Sequence, residues 1–585
     1  MRLARVCSER SGREIGDFRA LHAYSIEAQA AFWDAVWDDV GIIGEKGDTV
    51  LADADKMPGA RFFPEARLNY AQNLLRGDPD APAIVFRGED KAEIRMSRGE
   101  LTAAVAKMQA ALREAGVGEG DRVAAMLPNM PQAVVVCLAT AALGAVFSSC
   151  SPDFGERGVL DRFGQIEPTV FVACDGYWYN GKPINVCDKV HALAHKLSPK
   201  ALVVVPYLDD LRAHELTQIS DNAVLYDTIM ERPETEPTFA AMAFDAPLFI
   251  LFSSGTTGVP KCIVHGAGGT LIQHMKEQRY HGNIRAGDRV FYFSTCGWMM
   301  WNWLISALAS EATLILFDGS PFAPDHNVLW DLAQEEKITF FGTSAKYIDA
   351  LKKSGARPME THDLPALRTV ASTGSPLSAD GFRFVYDAIK RDVHLASISG
   401  GTDIVACFVL GVPTEPVYAG EIQGPALGLA TDVADEDGNH LPAGKGELVC
   451  RKPFPSMPIM FWNDPDGAKY SAAYFERFAG IWCHGDFAEW TPHGGMIIHG
   501  RSDATLNPGG VRIGTAEIYA QVEQIPEVLE ALAIGQSVED DVRVVLFVRL
   551  AQGETLDEAL IGKIKTKVRT GASPRHVPAK IVAVA

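Results

Sequence analysis

Short apolar runs recur between helical stretches along most of this chain. They are Ala83–Phe86, Arg122–Met126, Thr169–Ala173, Ala201–Val205, Leu248–Phe252, Val290–Phe293, Thr313–Phe317, Thr339–Gly342 and Thr369–Ser372. Each has the length of a strand, and many of the segments between them read as helical. Parallel strands need a crossover between them, and a helix supplies it, so the alternation predicts parallel α/β layers. Ligands in open α/β sheets sit beyond the carboxyl ends of the strands. Three stretches of small residues fall at such ends: Ser253–Lys261, Thr295–Gly297 and Thr373–Ser375.

A chain of 585 residues exceeds one compact core, so subdomains are expected. The N-terminal segment, residues 1–75, reads as a cap. Phe32, Trp33, Val36, Trp37 and Val40 repeat with helical spacing as a core face, and Ser25 is the expected N-cap. The turn-rich 57–64 stretch is followed by a helix through Leu68 and Leu74. Ala133–Cys150 carries no charge over eighteen residues, which is marginal for a membrane span. Pro131 and Pro152 flank it, and it reads as a buried helix running into a strand. The large body ends near residue 501. A small α+β unit, 502–585, then shows helices over Ala516–Ile525 and Leu556–Val568, a strand over Val542–Val548 and a last strand from Lys580.

Composition excludes some functions. A net charge of −20 argues against nucleic-acid or anionic-membrane binding, so an anionic substrate must be met by local cations or a metal ion. The ten cysteines contain no C-x-x-C pair and mostly sit in apolar runs, as small buried hydrophobes in a reducing, cytoplasmic compartment. No H-E-x-x-H pair and no signal-peptide pattern is present, and no membrane span is expected.

The chemistry starts at Ser253-Ser254-Gly255-Thr256-Thr257-Gly258-Val259-Pro260-Lys261. Two glycines allow close backbone approach, four hydroxyls and the backbone N–H groups can cradle phosphate oxygens, and Lys261 adds a charge. The spacing is not that of a Walker A loop, and an ordinary turn is the alternative. Asp403, in Ser397-Ile398-Ser399-Gly400-Gly401-Thr402-Asp403, is either a Mg²⁺ ligand or a solvated loop residue. Asp486, after His484-Gly485, either accepts ribose hydroxyls or sits in a turn. Arg501 and Arg512 either bind ribose or phosphate or lie on the surface.

The order of these segments resembles the adenylate-forming superfamily, which includes acyl-CoA synthetases and firefly luciferase. Further segments, 57–75, 297–303, 341–347, 397–404 and 416–423, resemble the branch that ligates acetoacetate to coenzyme A. The resemblance covers nearly the whole chain. It implies an α/β fold with a large multi-subdomain N-terminal adenylate-forming domain, 76–501 behind the 1–75 cap, and a small mobile α+β C-terminal domain, 502–585. It implies acetoacetate, ATP and CoA as substrates, with Mg²⁺.

Roles follow by resemblance. Ser253 to Lys261 would hold the β- and γ-phosphates, and Gly374, Ser375 and Pro376 would line the adenine. Thr402 would touch the α-phosphate, with Asp403 beside Mg²⁺. Asp486 and Arg501 would bind the ribose, Arg512 would face the nucleotide, Asp503 would be the hinge and Gly510 would border the CoA tunnel. Acetyl-activating relatives have Trp at the position of Gly400. Glycine there would leave room for a longer acid against Trp298, Met299 and Met300, and Gly400→Trp would shift preference toward acetate or abolish activity. The family also carries a lysine in a C-terminal Ser-Gly-Lys segment. This chain reaches Ala585 in a strand-like context without it, so the expectation is a truncated C-terminal domain or deficient adenylation. A ligase for another short- or medium-chain acid, and a nucleotide-binding protein without ligase activity, are the alternatives.

Overall fold

The computed structural model describes residues 2–208, 210–218, 222–253, 259–502, 505–506, 508, 513–522, 524–538 and 541–584. Two large sheets form the frame. The first has the spatial order Ala223–Leu225, Ala201–Val205, Val170–Cys174, Arg122–Met126, Val146–Cys150, Pro247–Ser253, Lys261–Gly266, Met460–Phe461. The second runs His394–Ser397, Thr369–Thr373, Phe340–Ser344, Arg289–Tyr292, Thr313–Asp318, Pro82–Gly88, Ala92–Ser97. Every strand expected from the apolar runs lies in one of these sheets, with its ends moved by at most two residues.

Most neighbours are parallel, but both sheets are mixed. Pro247–Ser253 pairs antiparallel with Lys261–Gly266, and Pro82–Gly88 with Ala92–Ser97. The connections between these partners are too short for a helical crossover, and a short link permits only the antiparallel arrangement. The uncharged 133–150 stretch is a buried helix, Pro131–Ala142, followed by the central strand Val146–Cys150. No helix among the described residues is long and apolar enough to cross a membrane.

Two expectations for the N-terminal segment are corrected. Ser25 does not cap the aromatic helix. It lies inside Phe18–Glu27, donates to His22 O and accepts Gly428 N–H. Asp17 caps that helix instead, accepting Ala20 N–H, and the aromatic helix Gln29–Val40 begins after Ala28 with no side-chain cap. Leu68 is not helical either. Arg67–Leu68 is a strand between Gly44–Glu45 and Met242–Ala243, and Asn69 caps the helix Tyr70–Leu74 by accepting from Ala71 and Gln72. A side chain that satisfies the first free N–H groups sets where a helix starts.

The small C-terminal domain has its own apolar core, including Ile513, Ile518, Leu546, Ile564 and Val568. Its sheet is Val528–Val538, Asp541–Leu550 and Lys580–Val584, with helices Thr515–Val522 and Glu558–Gly571. The first of these strands was not expected from the sequence. It is an edge strand with Leu529 and Leu532 more than half exposed, so it lacks the alternation that marks a half-buried strand.

Candidate active site

Carboxyl ends of both large sheets open onto one cavity of about 310 Å³. Ser253 ends one strand, Thr373-Gly374-Ser375 follows another, and Ser294–Gly297 follows a third. Gly374 has φ +88°, a left-handed turn that glycine adopts without strain. The remaining walls are the hairpin Ser399–Gly401/Ala406–Leu410, the hairpin Trp482–Trp490/Met496–Arg501, and Ser573, Arg575 and His576 of the small domain.

The carboxylate of Asp403, 2% exposed, lies on this cavity. Its Oδ1 accepts from Lys261 Nζ at 3.1 Å and from Tyr474 OH at 2.6 Å. The Lys261 ammonium also lies 5.2 Å from the Tyr474 ring centre and 5.8 Å from that of Phe461. A buried carboxylate is stable only when paired and hydrogen-bonded, and both conditions are met. Asp486 and Arg501 face each other across their hairpin, and Arg501 Nη1 donates to Asp486 Oδ1 at 2.9 Å. The hydroxyls of Ser253 and Ser375 line the cavity and find no hydrogen-bond partner among the described residues. Unsatisfied buried hydroxyls of this kind suit a polar ligand.

The structure thus brings together Ser253, Gly374, Ser375, Pro376, Trp298, Met299, Met300, Gly400, Thr402, Asp403, Asp486 and Arg501, with Lys261 reaching in through Asp403. Ser254, Gly255, Thr256, Thr257, Gly258, Asp503, Gly510 and Arg512 lie outside the described residues.

The chain matches the family model described as AMP-binding enzyme over residues 72–458, and that of the acetyl-coenzyme A synthetase N-terminus over 18–74. It is 63% identical to acetoacetyl-coenzyme A synthetase of Rhizobium meliloti (strain 1021), over 99% of this chain and 89% of that one. The chain belongs to the acetoacetyl-CoA synthetase family. The Mus musculus acetoacetyl-CoA synthetase is 44% identical over 98% of this chain and 86% of its own length. A solved acetoacetyl-CoA synthetase from Streptomyces lividans superposes with a TM-score of 0.83 at 44% identity, covering 100% of this chain and 89% of that one. The resemblance seen in the sequence is borne out, and membership makes the chain an AMP-forming acid–thiol ligase.

Family membership also implies Mg²⁺. Among the described residues no group of three or more His, Cys, Asp or Glu side chains could cage a metal, so these residues by themselves do not fit a resident ion. An ion carried by the nucleotide does fit, because Mg²⁺ is commonly held by one or two carboxylates plus phosphate oxygens, and Asp403 offers one.

Geometry narrows one expectation, that Gly400→Trp would shift preference or abolish activity, to the second outcome. A Cβ on Gly400 would stand 2.0 Å from Ala406 O and 2.5 Å from Cys407 Cα, so a side chain there runs into the facing backbone. Gly400→Trp would therefore distort the hairpin before it could shape an acyl pocket. A Cβ on the neighbouring Gly401 meets nothing within 4 Å.

Several residues at or beside the cavity escaped the sequence reading. Tyr474 is 71 positions from Asp403, and its only local sign is an aromatic cluster with Phe461, Tyr470 and Trp482. Phe154 and Arg162 also line the cavity, the guanidinium 4.7 Å from the ring centre. The small domain rests beside them. Gly155 N–H donates to Ala572 O at 3.3 Å, and a Cβ on Gly155 would lie 1.8 Å from Thr570 O.

Proposed function

We propose that this chain is an acetoacetate–CoA ligase working through an acyl-adenylate. A carboxylate oxygen of acetoacetate attacks the α-phosphorus of ATP, and the bond to the β-phosphate oxygen breaks to release pyrophosphate. The CoA thiol then loses its proton to solvent, its sulfur attacks the acyl carbonyl, and AMP leaves with the electrons of the acyl–oxygen bond. Both steps bring anions together, so positioning and electrostatic stabilisation carry the catalysis and no protein nucleophile is needed.

In this reading Ser253 and Lys261, with residues 254–258, hold the β- and γ-phosphates. Gly374, Ser375 and Pro376 line the adenine, Asp486 and Arg501 hold the ribose, and Thr402 meets the α-phosphate. Arg512 faces the nucleotide, Asp503 is the hinge and Gly510 borders the path of CoA. Asp403 would hold the nucleotide's Mg²⁺, which supplies charge neutralisation on the phosphates when bound. Trp298, Met299 and Met300, beside Gly400 and Gly401, face the acid. The boundaries 1–75, 76–501 and 502–585 belong to the same reading, as does a cytoplasmic location, which ten free cysteines support.

The observation that carries the reading is one cavity lined by the buried Asp403, held by Lys261, and by the paired Asp486 and Arg501. A panel of acids, assayed for both pyrophosphate and CoA thioester, tests it. The highest kcat/KM is expected with acetoacetate. A higher value for acetate or a longer acid would overturn the substrate, and ATP binding without any thioester would overturn the ligase.

A further inference from the structure

The turn that carries Asp403 holds an unusual residue. Thr402–Val405 link the strands Ser399–Gly401 and Ala406–Leu410, and Val405 closes the turn at φ +49° with its side chain fully buried. That left-handed position ordinarily belongs to glycine or asparagine, and a β-branched residue there is strained. Such strain persists only when the surroundings enforce it, and it clusters at functional sites.

The surroundings are two buried histidines. His265 Nε2–H donates to Thr402 O at 2.8 Å, and His274 Nε2–H donates to Val405 O, so both ends of the turn are held by their carbonyls. His274 sits at the end of a directed relay. Burial lowers its pKa to about 3, which keeps the ring neutral, so with Nε2 donating, Nδ1 must accept. The Ser306 hydroxyl, 2.8 Å away, shares its one proton between that nitrogen and Asn302 O at 3.1 Å, and Tyr70 OH, 2.6 Å from Ser306 Oγ, donates in turn. The order Tyr70 to Ser306 to His274 to Val405 O ties the helix Tyr70–Leu74 to the turn bearing Asp403. Each donor polarises the next, and the tautomer that Val405 O requires leaves Nδ1 free to accept from Ser306.

We propose that His274 is a positioning residue for adenylation: by holding Val405 O it keeps the Thr402–Val405 turn in a strained form that presents Asp403 to the nucleotide. The proposal deepens the ligase reading and rests on it.

The test is a double-mutant cycle between His274 and Val405. Val405→Gly lets the backbone take the same left-handed turn without strain, so the turn then needs no clamp. In the native background, His274→Ala should lower kcat for acetoacetate-dependent ATP–pyrophosphate exchange about 10- to 100-fold, with KM for ATP within about 3-fold. His274→Gln, which keeps an N–H donor, should recover at least about 3-fold of that loss. In the Val405→Gly background, His274→Ala should cost less than about 3-fold. Ser306→Ala, a milder cut in the same relay, should show the same rescue and stands in should His274→Ala not fold. An equal loss in both backgrounds would mean that His274 acts as packing alone and would overturn the proposal. A native enzyme whose exchange ignores acetoacetate would instead sink the substrate reading; the cycle can then be run with whichever acid supports exchange.

Discussion

The cavity has two walls of different construction. Behind Thr402 and Asp403 the large domain packs a fully buried polar layer. His265 and His274 hold the turn's carbonyls, Glu277 accepts Cys407 N–H and Trp303 Nε1–H, and Lys276 Nζ donates to Leu427 O. Burial lowers Lys276 to about 8 and raises Glu277. Across the cavity the small domain contributes Ser573, Arg575 and His576 and rests where Gly155 leaves room for its backbone. The first wall is costly to disturb because its histidines, Lys276 and Glu277 are each buried on a specific hydrogen-bond partner. The second rests on close backbone fit and the Gly155–Ala572 hydrogen bond, with no buried charge, and would cost less to leave and remake. In the proposed reading, two half-reactions in one cavity would use that division: one surface that stays and one that is exchanged.

Four measurements sharpen or break the contrast. Acid should act first on the fixed wall. Burial lowers the pKa of His265 to about 4 and of His274 to about 3, and His22, packed against Leu429 O, to about 4. The unfolded chain, with histidine near 6.5, binds more protons over this range, so stability falls as pH drops from 6.5 toward 4. At pH 5 each histidine should cost about 2 kcal/mol relative to pH 7. Urea midpoints unchanged between pH 7 and pH 5 would show that the layer is not held by neutral imidazoles. Next, Asp403→Asn keeps the shape but removes the charge that Lys261 and Tyr474 hold. Pyrophosphate exchange should fall about 100-fold or more; a loss below about 5-fold would remove Asp403 from the chemistry.

The second wall is tested by Gly155→Val, which sets a side chain against Thr570 O. Pyrophosphate exchange and thioester formation from preformed acyl-adenylate should then diverge, one falling about 10-fold and the other by less than about 3-fold. Equal losses would mean that docking on Gly155 serves no particular step. The smallest effect belongs to Gly401→Ala, which projects into open space and should change acetoacetate KM by less than about 3-fold. Gly400→Ala in parallel should lower the melting temperature by several degrees, about what an overpacked site costs.

The sheet frame was legible in the sequence because buried strands in α/β folds read as short, nearly continuous apolar runs, as Ala201–Val205 and Arg122–Met126 do. Thr402-Asp403, just after the strand Ser399–Gly401, and His484-Gly485-Asp486, inside the strand Trp482–Trp490, stood out because they set polar and charged residues beside small or apolar ones. What stayed hidden were contacts between distant segments. Nothing near Tyr474 points to Asp403, and nothing near His274 points to Val405. The collision at Gly400 was hidden for a related reason. Residue identity says that glycine leaves space, but only the facing strand decides on which side that space lies.

Tyr474 carries one more consequence. Its ring stacks on that of Trp482 at 3.8 Å and 15°, while its hydroxyl bonds to Asp403. An indole in van der Waals contact with a phenol whose hydroxyl bonds the cavity-lining Asp403 carboxylate is a natural optical reporter. Emission from Trp482, read against a Trp482→Phe background, would register nucleotide arrival without any added label.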